Sequence, residues 1–140
     1  MISLKRKVLY FETDKMGIVH HSNYIRYFEE ASMYFFDKIG YNFRKMEDTG
    51  IQRPVVSVEA AYKEPLLFDD EFEIRTYVDE YTAATFTFYY EILRDGTLCA
   101  KGKTKHCFTK DDRPVNLRKA YADFLGKLEE HKRDNEKKGL

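Results

Sequence analysis

At 140 residues the chain is the size of one domain, and its 24 Lys plus Arg balance 24 Asp plus Glu. Zero formal charge gives no global field for nucleic acid or an anionic membrane, so neither is expected as a partner. No apolar run is long enough to span a bilayer, and the opening Met-Ile-Ser-Leu-Lys-Arg lacks an apolar secretion segment, so a cytoplasmic protein with no membrane span is expected.

Residues around Val8 and Tyr10 read as a first strand entering a turn at Asp14. From Tyr24 to Ile39, apolar residues at 24, 25, 28, 31, 35 and 39 follow helical spacing, with Ser22 or Asn23 as N-cap and Gly40 as the stop. Phe43 to Thr49 reads as a connecting helical turn before Gly50. Gln52 to Thr109 reads as strand. Val56, Val58, Ala60 and Tyr62 alternate with polar neighbours, as do Phe72 to Val78, Phe86 to Ile92 and Leu98 to Phe108, with Asp95-Gly96 as a hairpin turn. Cys99 and Cys107 stand eight residues apart on the last run. At a strand's rise that is about 26 Å, too far for a disulfide. Free thiols fit a reducing compartment.

A final amphipathic helix is expected from near Leu117 through Leu128, and the charged stretch 129–140 is expected to fray or stay solvated. The order is strand, long helix, four long antiparallel strands, terminal helix. One sheet with one strongly apolar helix must curl around it, which makes an α+β domain over residues 1–128. Its exposed sheet edges favour pairing with a second subunit.

The chemistry concentrates in Asp14-Lys-Met-Gly-Ile-Val-His-His-Ser-Asn-Tyr24. Asp14 reads in two ways. It can be a turn carboxylate bonded to nearby N–H groups. It can equally attack a thioester carbonyl held at the following helix N-terminus, or activate a water there. Gly17 allows a tight turn or the close approach of a ligand. His21 stands at the mouth of the helix, as a polar loop residue or as a group orienting water or substrate. His20, His21 and Asp14 lack a recognised metal-ligand spacing. Tyr10 can reach the turn or pack in the core, and Glu29 lies on the helix flank, solvated or facing the site. Lys101, Lys103 and Lys105 form a positive row on one strand face.

The stretch Tyr10-Phe-Glu-Thr-Asp14-Lys-Met-Gly17-Ile-Val-His-His21-Ser-Asn-Tyr24-Ile-Arg-Tyr-Phe-Glu29-Glu-Ala resembles the signature of the 4-hydroxybenzoyl-CoA thioesterase-like family, in its bacterial acyl-CoA thioesterase branch. The resemblance continues through Arg53-Pro-Val-Val-Ser-Val, Tyr62-Lys-Glu-Pro-Leu-Leu-Phe-Asp-Asp-Glu and Ala100-Lys-Gly-Lys-Thr-Lys-His106, covering about Lys5 to Leu128. It implies a hotdog fold, an antiparallel sheet wrapped around one long central helix, assembled as a homodimer or homotetramer with sites at the subunit interface. It implies an acyl-CoA substrate, with no organic cofactor and no metal. Asp14 matches the family's catalytic aspartate, and His21 the position whose backbone N–H polarises the thioester carbonyl. Tyr10 matches a tyrosine beside that pair, while Gly17, Tyr24 and Glu29 fall on the substrate-binding side of the motif. Many relatives carry arginine after the helix Glu-x-Ala, where this chain has Ser32. The competing expectation is a hotdog protein that binds an acyl thioester or a protein partner without hydrolysis. A hotdog dehydratase fits less well, because its His and Pro-Gly signature is absent.

Overall fold

The computed structural model describes residues 1–134. Strand β1 (Ile2–Lys7) leads through a single 3-10 turn (Tyr10–Glu12) and a loop into helix α1 (Ser22–Lys38). Helix α2 (Phe43–Asp48) and the short β2 (Ile51–Gln52) follow, then the long strands β3 (Val55–Tyr62), β4 (Glu71–Tyr81), β5 (Phe86–Arg94) and β6 (Thr97–His106). A small hairpin of β7 (Thr109–Lys110) and β8 (Arg113–Pro114) precedes α3 (Leu117–Ala120) and α4 (Ala122–Glu130). The main sheet has the order β1-β4-β5-β6-β3, with all neighbours antiparallel; β2, β7 and β8 form a second, three-stranded sheet.

The sheet wraps α1, as the single apolar helix required. Tyr24, Tyr27, Phe28, Ala31, Phe35 and Phe36 give α1 a wide aromatic face that is fully or nearly fully buried. Period-two alternation turns Phe72, Ile74, Val78, Phe86, Phe88, Tyr90 and Ile92 toward it, and side chains of this size each contribute roughly 1.5–3 kcal/mol when buried. Phe28 stacks on Tyr90 at 4.7 Å and Phe36 on Phe124 at 5.6 Å, which ties α1 to the sheet and to α4. Gly40 ends α1 at φ +89°; Gly40 N–H donates to Asp37 O and Tyr41 N–H to Phe36 O, a left-handed C-terminal cap.

Several expectations are corrected. The first strand is Ile2–Lys7, so Val8 and Tyr10 lie beyond it: the chain leaves β4 at Val8 and coils into the 3-10 turn. Neither Ser22 nor Asn23 caps α1. Ser22 is its first residue, and Asn23 Nδ2 donates instead to Glu12 O at 2.8 Å. Strand β3, one edge of the sheet, is exposed along almost its whole length despite its alternating sequence. Cys107 falls just past β6 rather than on it, while both cysteines are free as expected. The terminal helix breaks at Tyr121 into α3 and α4.

The start of the charged tail is docked rather than solvated. His131 O accepts from Val78 N–H at 3.0 Å, and Arg133 N–H donates to Val78 O at 2.7 Å. The buried Arg133 guanidinium meets Asp79 at 2.9 Å and lies 3.9 Å from the Tyr89 ring centroid. Residues 135–140 of the expected tail lie outside the described residues. Among the described residues no helix is long and apolar enough to cross a membrane.

Candidate active site

The loop between the 3-10 turn and α1 is a closed hairpin. Thr13 and Val19 form an antiparallel bridge at its neck, and Asp14 N–H donates to Ile18 O at 2.9 Å. At the tip Gly17 N–H donates to Asp14 O at 3.0 Å, with Gly17 at φ +78°. A Cβ there would meet nothing within 4 Å, so the glycine serves the turn's handedness rather than the close approach of a neighbour. The hairpin is sewn to the β3–β4 connection by Val19 N–H to Leu66 O at 2.8 Å and by a bridge from Ile18 to Leu67.

Asp14 is half-buried. Met16 N–H donates to its Oδ1 at 2.8 Å, the turn-type bond of the structural reading, and among the described residues Oδ2 has no partner. The carboxylate borders a depression of about 360 Å³ that also includes His21, Tyr24, Tyr62 and Lys63. It borders a second, of about 760 Å³, with Tyr10, Phe11, Lys15, Gly17 and Phe68. Of the predicted residues, Asp14, His21 and Tyr24 therefore share one depression, while Asp14, Gly17 and Tyr10 share the other. Tyr10 is 76% exposed and packs edge-to-face on Phe68 at 5.5 Å, rather than entering the core. Glu29 sits two turns into α1, exposed, and borders neither depression.

His21 immediately precedes α1, with its ring 4.2 Å from that of His20 and 6.5 Å from that of Tyr62. The backbone N–H groups of Asn23 and Tyr24 close turns onto His20 O and His21 O, while that of His21 has no acceptor among the described residues. An uncommitted N–H at the positive end of a 17-residue helix is suited to hold a developing oxyanion. Burial raises the Tyr24 phenol above its ordinary pKa, so it stays a neutral donor. His20 Nδ1 is engaged with Ser22 Oγ at 2.9 Å, and among the described residues no three His, Cys, Asp or Glu side chains converge as metal ligands.

Two further groups carry no site role in the sequence reading. Glu12, buried two residues before Asp14, joins β1, the 3-10 turn and α1. Burial alone would raise its pKa; the Arg6, Leu9 and Tyr27 hydrogen bonds outweigh this and hold it below the ordinary range. Deeper, Arg53 donates to Ser32 Oγ at 3.2 Å, between the Phe36 and Phe43 rings, each 4.7 Å away. Beyond it Tyr90, Thr104 and His106 form a buried chain of 2.7 Å hydrogen bonds. Each group also draws partners from distant parts of the chain, Tyr27 for Glu12, Ser32 for Arg53 and Tyr90 for Thr104, so no local pattern marks it.

An antiparallel sheet curled round one long helix defines the hotdog architecture. The chain belongs to the thioesterase-like superfamily, whose family model matches residues 8–125. It is 40% identical over 121 residues to an Aquifex aeolicus protein provisionally named an esterase, covering 86% of this chain and 94% of that one. A Bacillus subtilis protein provisionally named an acyl-CoA thioesterase is 32% identical over 130 residues, covering 91% and 94%. The crystal structure of a DHNA-CoA thioesterase from Staphylococcus aureus superposes with a TM-score of 0.85 at 29% identity, covering 91% of this chain and 88% of that one.

Proposed function

We propose that this protein is an acyl-CoA thioesterase, hydrolysing the thioester to a carboxylate and free CoA, with Asp14 as the reacting carboxylate. The observation that carries the reading is the common depression bordered by Asp14 and by His21 at the start of α1. A carbonyl oxygen received by the His21 N–H has its carbon open to attack from the Asp14 side. Asp14 then takes a proton from water as the water adds, or adds itself to give a mixed anhydride that water cleaves. In both routes the C–S bond breaks and the thiolate leaves as CoA. Tyr62 and Lys63 line the same depression, and Lys63 is available to a CoA phosphate.

The site is completed, in this proposal, by a second copy of the chain. Edge strand β3 carries Val55, Val56 and Val58 at 55%, 54% and 39% exposure, a row of apolar side chains along unpaired backbone that a second β3 would cover. A CoA-dependent enzyme with two free thiols fits a reducing cytoplasm.

The test is thiol release across a panel of aromatic and aliphatic acyl-CoAs, wild type beside Asp14→Asn. Release from at least one substrate, reduced by about 100-fold or more in the variant, is expected. Binding without release from any substrate would favour the non-hydrolytic reading, and release unaffected by the substitution would remove Asp14 from the chemistry.

A further inference from the structure

A buried carboxylate sits two residues before Asp14. Glu12 is 5% exposed. Its Oε1 accepts from Arg6 Nη1 at 2.7 Å, Leu9 N–H at 2.8 Å and the Tyr27 hydroxyl at 3.0 Å. Its Oε2 accepts from Arg6 Nη2 at 2.6 Å. Arg6 reaches on to Glu30 of α1, Nε to Oε2 at 2.7 Å, and lies 4.5 Å from the Tyr27 ring centroid. The main chain of Glu12 is committed as well, its carbonyl accepting from His20 N–H at 2.9 Å and from Asn23 Nδ2 at 2.8 Å.

These contacts share one geometric consequence. The Asp14 hairpin leaves the fold at Thr13 and returns at Val19, and Glu12 and His20 flank that neck. Glu12 therefore holds the departing strand of the hairpin by its side chain, the returning strand by its carbonyl, and the first turns of α1 through Asn23 and Tyr27. The Leu66–Leu67 contacts fix the hairpin against a different element, the β3–β4 connection. Stability alone does not call for this arrangement, since a buried ion pair often contributes no more than well-packed apolar side chains. What a carboxylate with several fixed donors supplies is orientation.

We propose that Glu12 is a positioning residue for the hydrolysis, setting the distance between the Asp14 carboxylate and the His21 N–H at the start of α1. The inference rests on the role given to Asp14 above. Misplacement of a reacting group by about 1 Å can cost on the order of 100-fold. Glu12→Gln keeps the shape but turns an amide toward Arg6, and its expected effect is a loss of roughly 10- to 100-fold in kcat, with KM changed far less.

The experiment is a double-mutant cycle of Glu12→Gln and Asp14→Asn, read by single-turnover thiol release with enzyme in excess and checked by thermal melts. If Glu12 acts through Asp14, Glu12→Gln loses most of its effect on the Asp14→Asn background, because no carboxylate remains to be positioned. Equal fold losses in both backgrounds, or a loss confined to KM, would mean a merely structural carboxylate and overturn the proposal. Should Glu12→Gln not fold, Tyr27→Phe removes one donor while keeping the ring, and the same non-additivity is expected of it. Full activity in Glu12→Gln with loss in Asp14→Asn rejects this inference alone. Full activity in Asp14→Asn rejects the proposed function first, and this inference with it.

Discussion

A methyl group on Gly102 has no room. Built onto β6, its Cβ lies 2.5 Å from the Glu59 carbonyl oxygen and 2.7 Å from Phe28 Cζ. Phe28 cannot swing aside, being fully buried and stacked on Tyr90 at an interplanar angle of 10°. The carbonyl belongs to β3, paired with β6 through Ala60 and Gly102. Gly102→Ala must therefore lift α1 from the sheet or push the edge strand away. Overpacking costs roughly 1–3 kcal/mol, and two constrained neighbours place this case near the upper end, about 3 kcal/mol. At about 2.1 cal/mol/K of unfolding entropy per residue, the 140-residue chain loses about 0.3 kcal/mol per degree, so Tm should fall by about 10 °C. Calorimetry at one fixed protein concentration measures it. Gly126→Ala is the control, because Gly126 lies on the exposed face of α4, its Cβ meets nothing within 4 Å, and helix propensity alone should raise Tm by about 3 °C. A Gly102→Ala Tm within about 3 °C of wild type would refute the packing argument.

Other consequences are open to equally direct measurement. Burial first, and Arg53 second, pull the His106 pKa down to about 3, so the folded chain resists a proton that the unfolded chain takes near pH 6.5. Stability on this account is complete above about pH 6.5 and falls as pH drops toward 3, at up to about 1.4 kcal/mol per unit. Urea melts at pH 7 and 4.5 should differ by roughly 2 kcal/mol more in wild type than in His106→Gln, which isolates this histidine from His131, also lowered by burial. An identical pH dependence in both proteins would contradict the assignment. His21→Ala keeps the backbone N–H and should lower kcat by less than about 10-fold, well short of the effect of Asp14→Asn; an equal or larger loss would give the imidazole a chemical role. Val56→Lys on the exposed edge should convert a dimer to monomer by light scattering and abolish thiol release together with it. A wild type already monomeric would dispose of the β3 interface.

What was legible in the sequence is what short-range pattern encodes. The six apolar positions assigned to the long helix lie on α1 or at its C-cap, because a 3.6-residue period is a property of the chain itself. The Asp95-Gly96 turn is likewise local: both residues take positive φ, which few other pairs adopt without strain. The same locality explains the failures. Alternation in Val55 to Tyr62 cannot reveal that β3 has a neighbour on one side only, since that depends on where β6 lies. Charge in residues 131–133 suggests solvent, and only the approach of Asp79 and Tyr89 makes the Arg133 position a buried one.

The site divides along the same line. Asp14, Gly17 and His21 fall within one loop and are recognisable by spacing, whereas Glu12 draws its donors from position 6 on β1, position 9 in the connection after it and position 27 on α1. Given no role in the motif, it is nonetheless bonded to β1, to both sides of the hairpin neck and to α1. The carboxylate proposed to react, Asp14, keeps one oxygen unbonded among the described residues, while the one proposed to orient, Glu12, is saturated. Two acidic residues separated by Thr13 are therefore distinguished by their partners alone. That difference makes the cycle between them the sharpest measure of how the loop works.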